Sequence, residues 1–135
     1  MALIEWSERL SVGVAELDDQ HKKLIGLINE LNDAMKIGKG RAILGKIVND
    51  LAGYAATHCR TEEKYFAQFE YPDTFNHRRE HVALVKKISV FKGQFENGDE
   101  PLTVEVMRFM SDWLKKHIME TDKKYGPFFN EKGLS

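Results

Sequence analysis

Five histidines, His21, His58, His77, His81 and His117, carry most of the chemistry available to this 135-residue chain. Neutral imidazole is a ligand for transition metals and, near neutral pH, an acid or a base. Each of the five falls on the apolar stripe of a helix-like segment rather than on a charged face. His77 and His81 are spaced i and i+4, as are His58 and Glu62, so each pair sits about one turn apart on a single helical face. Imidazoles gathered in a core leave buried nitrogens unpaired when neutral and repel one another when protonated. Cations at their centre remove both costs. Glu62 adds a carboxylate able to bridge two such cations. A structural zinc site closes with four ligands, usually including thiolates, and Cys59 is the one thiol present. Imidazole with carboxylate suits iron, while manganese and zinc remain compatible on affinity.

Placing these side chains together requires four amphipathic segments. In the first, Leu17, His21, Leu24, Ile28, Leu31 and Met35 alternate spacings of four and three, one stripe of a helix. Lys36 to Arg41 carries two glycines and breaks the pattern. The second stripe runs Leu44, Ile47, Val48, Leu51, Ala55, His58, Glu62, Tyr65 and Phe69. Tyr71-Pro72-Asp73 ends it, and Asp73 or Thr74 can cap a third segment with stripe His77, His81, Leu84, Ile88, Phe91 and Phe95. Asn97 to Pro101 reads as a turn that opens a fourth helix, with Val106, Met110, Trp113 and His117 inward and its end near Tyr125, before Gly126-Pro127.

Short connections imply antiparallel neighbours, hence an all-α, antiparallel up-and-down four-helix bundle. The expected layout is one domain over 1–135, with an N-terminal arm (1–17) packed over helices near 18–37, 41–69, 74–96 and 102–125. In that topology the starts of the first and third helices share an end with the finishes of the second and fourth. All five histidines then converge at one end of the core.

Composition narrows the function. A formal net charge of −1, from 20 basic and 21 acidic residues spread along the chain, creates no field to gather nucleic acid or an anionic membrane. Arg78, Arg79, Lys86 and Lys87 form a local basic surface, read as a solvated helix face or a docking patch. A single cysteine rules out an internal disulfide and fits a reducing compartment. Glu5, Glu8 and Arg9 interrupt any apolar run suited to a signal peptide or membrane span. The expectation is a cytoplasmic protein without membrane insertion.

The motifs resemble those of the hemerythrin family, particularly its single-domain bacterial members. They are His21 in LDDQH, His58 to Glu62 in HCRTE, His77 to His81 in HRREH, and His117 to Asp122 in HIMETD. The similarity extends over essentially the whole chain, including the Trp6 arm, SVGVAELDDQH and WLKKHIMETDKKY. It implies two iron ions per chain, bridged by Glu62, Asp122 and an oxo or hydroxo group. His77, His81 and His117 would hold one iron, and His21 with His58 the other, which keeps one position for dioxygen. It further implies pocket walls from Leu24, Trp113, Leu114 and Ile118. Cys59 stands where many members carry phenylalanine and would line the pocket flank.

Spacing and resemblance differ at one residue. At about 100° per residue, Asp122 lies roughly 140° around the helix from His117, whereas Glu120 lies only about 60° away. An ideal helix favours Glu120; the family pattern selects Asp122 and so predicts a local widening of the last helix, such as a π-type turn. Glu63, beside a ligand, is a candidate acceptor for an imidazole N–H.

The function this implies is reversible dioxygen binding, for storage, transport or delivery, without enzymatic turnover. The partners are dioxygen and an oxygen-consuming recipient enzyme, and the protein is expected to be a monomer. The alternatives are oxygen or redox sensing through a partner protein and a di-iron peroxidase- or oxidase-type enzyme. The repeated Glu-x-x-His signature of carboxylate-rich di-iron enzymes is absent, since none of the histidines has glutamate three residues before it.

Overall fold

The computed structural model describes residues 4–97 and 102–135. Residues 1–3 of the expected arm, and residues 98–101 of the turn before the fourth helix, lie outside the described residues. The helices are α1 (Ala15–Lys36), α2 (Gly40–Phe69), α3 (Thr74–Glu96), α4 (Leu102–Lys116) and α5 (Tyr125–Glu131). α1 packs on α2 and α4, and α3 packs on the same two helices, which closes a four-helix bundle.

Two apolar regions occupy the bundle, with the histidine belt between them. On one side Leu24, Ile28 and Leu31 of α1 meet Leu44, Ile47 and Leu51 of α2, Leu84, Ile88 and Phe91 of α3, and Val106 and Met110 of α4, all buried. Full burial of each such side chain stabilises the fold by about 1.5–3 kcal/mol. Beyond the histidines, Phe66, Tyr71, Tyr125 and Phe129 form an aromatic plug with ring centroids 4.9–6.4 Å apart. Phe66, not Tyr65 or Phe69 of the expected stripe, is the fully buried ring here; its neighbours on α2 are half-buried around it.

The helix ends depart from expectation in instructive ways. α2 finishes at Glu70, which adopts φ 55°, ψ 51° and lets Tyr71 N–H donate to the Phe66 carbonyl (3.0 Å). This is a left-handed C-cap without glycine, held by the stack of Tyr71 on Phe66 at 4.9 Å. Neither Asp73 nor Thr74 caps α3 through its side chain onto the helix: Asp73 accepts from Asn76 Nδ2 (2.9 Å), and the Thr74 hydroxyl donates to the Tyr71 carbonyl (2.6 Å).

The chain does not stop being helical at Tyr125. A π-helical turn (His117–Thr121) and a 3-10 turn (Asp122–Lys124) lead into α5, whose first turn contains Gly126 and Pro127. Proline there forfeits an N–H that has no intrahelical partner in any case, so it starts a helix instead of ending one.

The arm lies over this corner. Ile4, Leu10, Val12 and Val14 are buried, Ile4 exchanges two hydrogen bonds with the Asn29 amide (2.9 and 2.7 Å), and Asp18 accepts from Val12 N–H (2.8 Å) and the Ser11 hydroxyl (2.6 Å). Among the described residues no helix is long and apolar enough to cross a membrane.

Candidate metal centre

Each helix delivers its histidine from the stripe that also builds the core. His21 sits early in α1, His58 late in α2, His77 and His81 early in α3, and His117 opens the π turn after α4. All five are about 98–99% buried, and Glu62 and Asp122 are fully buried. Leaving such groups unpaired would cost several kcal/mol each.

The two carboxylates divide their oxygens between two sets of imidazoles. Glu62 Oε1 lies 2.8 Å from His81 Nε2 and 3.2 Å from His77 Nε2, while Glu62 Oε2 lies 3.3 Å from His58 Nε2 and 4.0 Å from His21 Nε2. Asp122 Oδ1 lies 2.9 Å from His77 Nε2 and from His117 Nε2, and its Oδ2 lies 2.9 Å from His21 Nε2. Two groups of ligand atoms result, Glu62–His77–His81–His117 and His21–His58–Glu62–Asp122, each with its atoms within 4.8 Å of one another.

Several of these short approaches are not hydrogen bonds. His81 Nε2, His117 Nε2 and both Asp122 oxygens have no hydrogen-bond partner despite their proximity. His21 Nε2 and His58 Nε2 face each other at 3.0 Å, which is tolerable only with a proton or a cation between them. Lone pairs that converge on common points, without aligning on one another, are what cation sites require. The donor set of imidazoles and carboxylates suits first-row transition ions, iron included.

Around this centre, outer groups fix the ring orientations. His58 Nδ1 is 2.7 Å from Gln20 Oε1, and the Gln20 amide donates to the Thr61 hydroxyl (3.0 Å). His81 Nδ1 is 3.0 Å from Glu63 Oε2, a carboxylate also paired with Arg78 (2.9 Å). His117 Nδ1 is 3.0 Å from Glu80 Oε1, which accepts from the Thr121 hydroxyl as well (3.0 Å). With Nδ1 engaged by an acceptor, each of these rings turns a lone pair at Nε2 toward the centre. The Tyr125 hydroxyl donates a short hydrogen bond to Glu62 Oε2. His77 is held by ring packing instead, against Phe66 (4.7 Å) and Tyr125 (5.7 Å).

Electrostatics reflects the same convergence. Burial disfavours the charged forms of His58, His77, His81, Glu62 and Asp122, but their contacts with opposite charges outweigh it. His77 rises to about 9, against burial, through Asp122 and Glu62. His81 rises to about 11, against burial, through the Cys59 sulfur and Glu62. His58 rises in the same way beside Glu62. Glu62 and Asp122 are pushed well below the usual carboxylate range by the surrounding imidazoles, although burial works the other way. Burial, then the two carboxylates, raise the Tyr125 hydroxyl well above its ordinary value. Tyr125 therefore stays protonated and remains a donor to Glu62.

The seven residues singled out from the sequence thus meet in one place. Glu120 does not join them: it is exposed, and the π turn carries Asp122 inward instead. Of the expected pocket walls, Leu24, Leu114 and Ile118 are buried within one turn of His21 or His117. Trp113 is half-buried and stacks on His117 at 4.1 Å. Cys59 lies beside His81, on the floor of a groove between α2 and α3, so its flank is that of the three-histidine group. Gln20, Glu80 and Tyr125 are functional neighbours that pattern reading passed over. Gln20 and Glu80 each directly precede a histidine, a cue as weak as any polar residue beside a ligand.

A four-helix bundle whose core gathers two adjoining groups of side chains able to hold a metal ion, with Glu62 in both, has the architecture of the binuclear metal proteins. The family model described as "Hemerythrin HHE cation binding domain" matches residues 12–129. A bacteriohemerythrin of Methylococcus capsulatus is 34% identical over 128 residues, covering 94% of this chain and 97% of its own. A bacteriohemerythrin of Clostridium acetobutylicum is 30% identical, covering 89% and 96%. A crystal structure of wild-type hemerythrin superposes with a TM-score of 0.85 at 33% identity, covering 93% of this chain and 97% of that one. The chain belongs to the hemerythrin family.

Proposed function

We propose that this chain binds dioxygen reversibly at a pair of iron ions. His77, His81 and His117 would hold one ion and His21 and His58 the other, with Glu62 and Asp122 placed between the two groups. The observation that carries this reading is the division of each carboxylate, one oxygen toward each set of imidazoles. The iron pair, when bound, would supply the redox equivalents and the affinity for dioxygen.

The remaining work falls to the chain. Three imidazoles on one side and two on the other leave the His21–His58 side short of ligands. Buried Leu24 beside His21, and Leu114 and Ile118 beside His117, keep bulk water from the centre. Tyr125 holds its proton at Glu62 Oε2, which fixes the carboxylate without giving the proton up. Gln20, Glu63 and Glu80 lock three rings in the ligating orientation. Oxygen storage or delivery to a consuming enzyme is the role that fits best, with the protein acting as a carrier, not a catalyst.

The test is anaerobic loading with ferrous iron, followed by a metal count and cycles of oxygen addition and removal. Two irons per chain, with a visible absorption band that appears with oxygen and vanishes on its removal, is the expected result. One iron per chain, or bleaching accompanied by turnover, overturns the reading.

A further inference from the structure

The outer face of α3 is unusual for a solvated helix. Phe75 and Val82 are exposed by 73% and 68% on the side of the helix opposite His77, His81 and Leu84, and Val85, one turn on from His81, is exposed by 43% at the flank facing α2. Bundle packing makes no demand for apolar side chains there. Val82 is shared by two adjoining hollows. One, of about 480 Å³, also borders Phe75, Arg78 and Arg79; the other, of about 530 Å³, lies between α2 and α3 over Cys59 and His81.

Cations outnumber carboxylates on this face: Arg60, Arg78, Arg79 and Lys86 stand against Glu63, which lines the second hollow, and Glu80, which lies near Arg79. Arg60 and Lys86 rim the second hollow, and Arg79 lies over the Phe75 ring at 5.9 Å. Among the described residues, Arg78 pairs with Glu63 at 2.9 Å, while no ion pair is found at Arg60, Arg79 or Lys86. Glu63 and Glu80, the nearby carboxylates, are turned to His81 and His117. On a chain of formal net charge −1 this leaves a local cationic ring around an apolar centre. A second copy would set cation against cation across a twofold axis. Both hollows are shallow and open to solvent, and a protein surface that sets acidic side chains around an apolar centre complements them.

What lies under the groove identifies the partner. His81 is the metal-ligand candidate that lines it, so a molecule seated there stands one residue from the centre. The geometry points to the α2–α3 groove as a docking face for an acidic electron-carrier protein, seated on Phe75, Val82 and Val85 and held by Arg60, Arg79 and Lys86. Small, steered interfaces with an apolar centre and a charged rim are typical of electron-transfer encounters. Two carriers would each lose one electron for every pair of ferric ions returned to ferrous. The identity of the acceptor rests on the proposed function; the docking itself does not.

The probe is an acidic two-iron ferredoxin, with basic cytochrome c as the opposite-charge control. Binding to the metal-loaded protein and to its metal-free form is followed by amide chemical shifts and titration calorimetry. The ferredoxin is expected to perturb residues around 75–86, and its binding to weaken about tenfold or more in Val82→Asp and in the pair Arg79→Glu/Lys86→Glu. Raising the salt should weaken it likewise, and cytochrome c should bind about tenfold less tightly. These substitutions point to solvent; circular dichroism checks their fold, and Phe75→Ala, which adds no charge, should also weaken binding. Equal binding by the two carriers overturns the proposal, as does binding unaffected by all three variants. Concentration-dependent dimers abolished by Val82→Asp, or tighter binding to phosphatidylserine vesicles than to the ferredoxin, would assign the face to another occupant and also overturn it. Ferredoxin binding without oxygen binding would sink the proposed function and leave the docking face standing.

Discussion

Asp122 Oδ1 lies 2.9 Å from His117 Nε2, although Asp122 is five positions further along the chain. On a regular helix they would diverge by roughly 140°, and Glu120 would be the nearer neighbour. The π turn over His117–Thr121 inserts the extra residue that brings Asp122 round. Asp122→Asn should lower metal affinity by at least about tenfold, since it removes a buried carboxylate charge from the proposed centre, and Glu120→Gln should leave metal content unchanged. Metal per chain after dialysis measures both. Loss of metal in the Glu120 variant alone would reverse the assignment.

Tyr125 ties the C-terminal segment to the same site. Its hydroxyl is the donor to Glu62 Oε2, and both side chains are fully buried. Tyr125→Phe keeps the aromatic plug but removes that donor. A hydrogen bond to a charged group contributes about 1.5–3 kcal/mol, so the metal-free protein should lose stability on that scale. Metal affinity should fall about 10- to 100-fold. Denaturant unfolding and competition with a chelator read the two effects separately, and an unchanged chelator midpoint would show that Glu62 needs no such support.

The stripes alone gave the bundle and the convergence of the histidines, because burial imposes the same spacing on ligands as on leucines. The helix ends were less legible. Glu70 takes a left-handed cap that sequence would assign to glycine, since Tyr71 gains a ring stack by it. Gly126-Pro127 reads as a stop, yet a chain already tightened into a 3-10 turn can begin a new helix there. Asp122 could not be chosen from spacing, because a π turn has no pattern of its own in a single sequence. Gln20 and Glu80 became visible only when neighbouring helices brought them across to His58 and His117.

The strained cap at Glu70 gives a prediction in the stabilising direction. A non-glycine residue at φ 55° carries a cost of about 1–2 kcal/mol from its Cβ, and its exposed side chain is not part of the plug. Glu70→Gly relieves that cost but increases the freedom of the unfolded chain, which returns part of the gain. The expected net is a stabilisation of about 0.5–1 kcal/mol, seen as a rise in the denaturant midpoint without a change in slope. A lower midpoint would mean that Glu70 makes a contribution its geometry does not reveal.

Gly126 is needed for the opposite reason. A Cβ built on it would meet the Val12 carbonyl oxygen at 2.3 Å, and this atom is backbone, so no side-chain rotation can yield. Val12 is itself fixed: its N–H donates to Asp18 (2.8 Å), and the next residue, Gly13, accepts from Asn130 of α5 (3.0 Å). Gly126→Ala must push either the arm off α1 or α5 out of the aromatic plug. Overpacking of this kind costs about 1–3 kcal/mol, and more where backbone must move. Because Tyr125 adjoins the clash, displacement of α5 would also weaken its hold on Glu62, whereas displacement of the arm would not. Thermal unfolding of Gly126→Ala, with and without bound metal, separates the two. If α5 gives way, the increment in melting temperature on metal binding shrinks as well as the melting temperature itself; if the arm gives way, only the melting temperature falls. A variant as stable as the parent would show that the arm does not hold this corner closed.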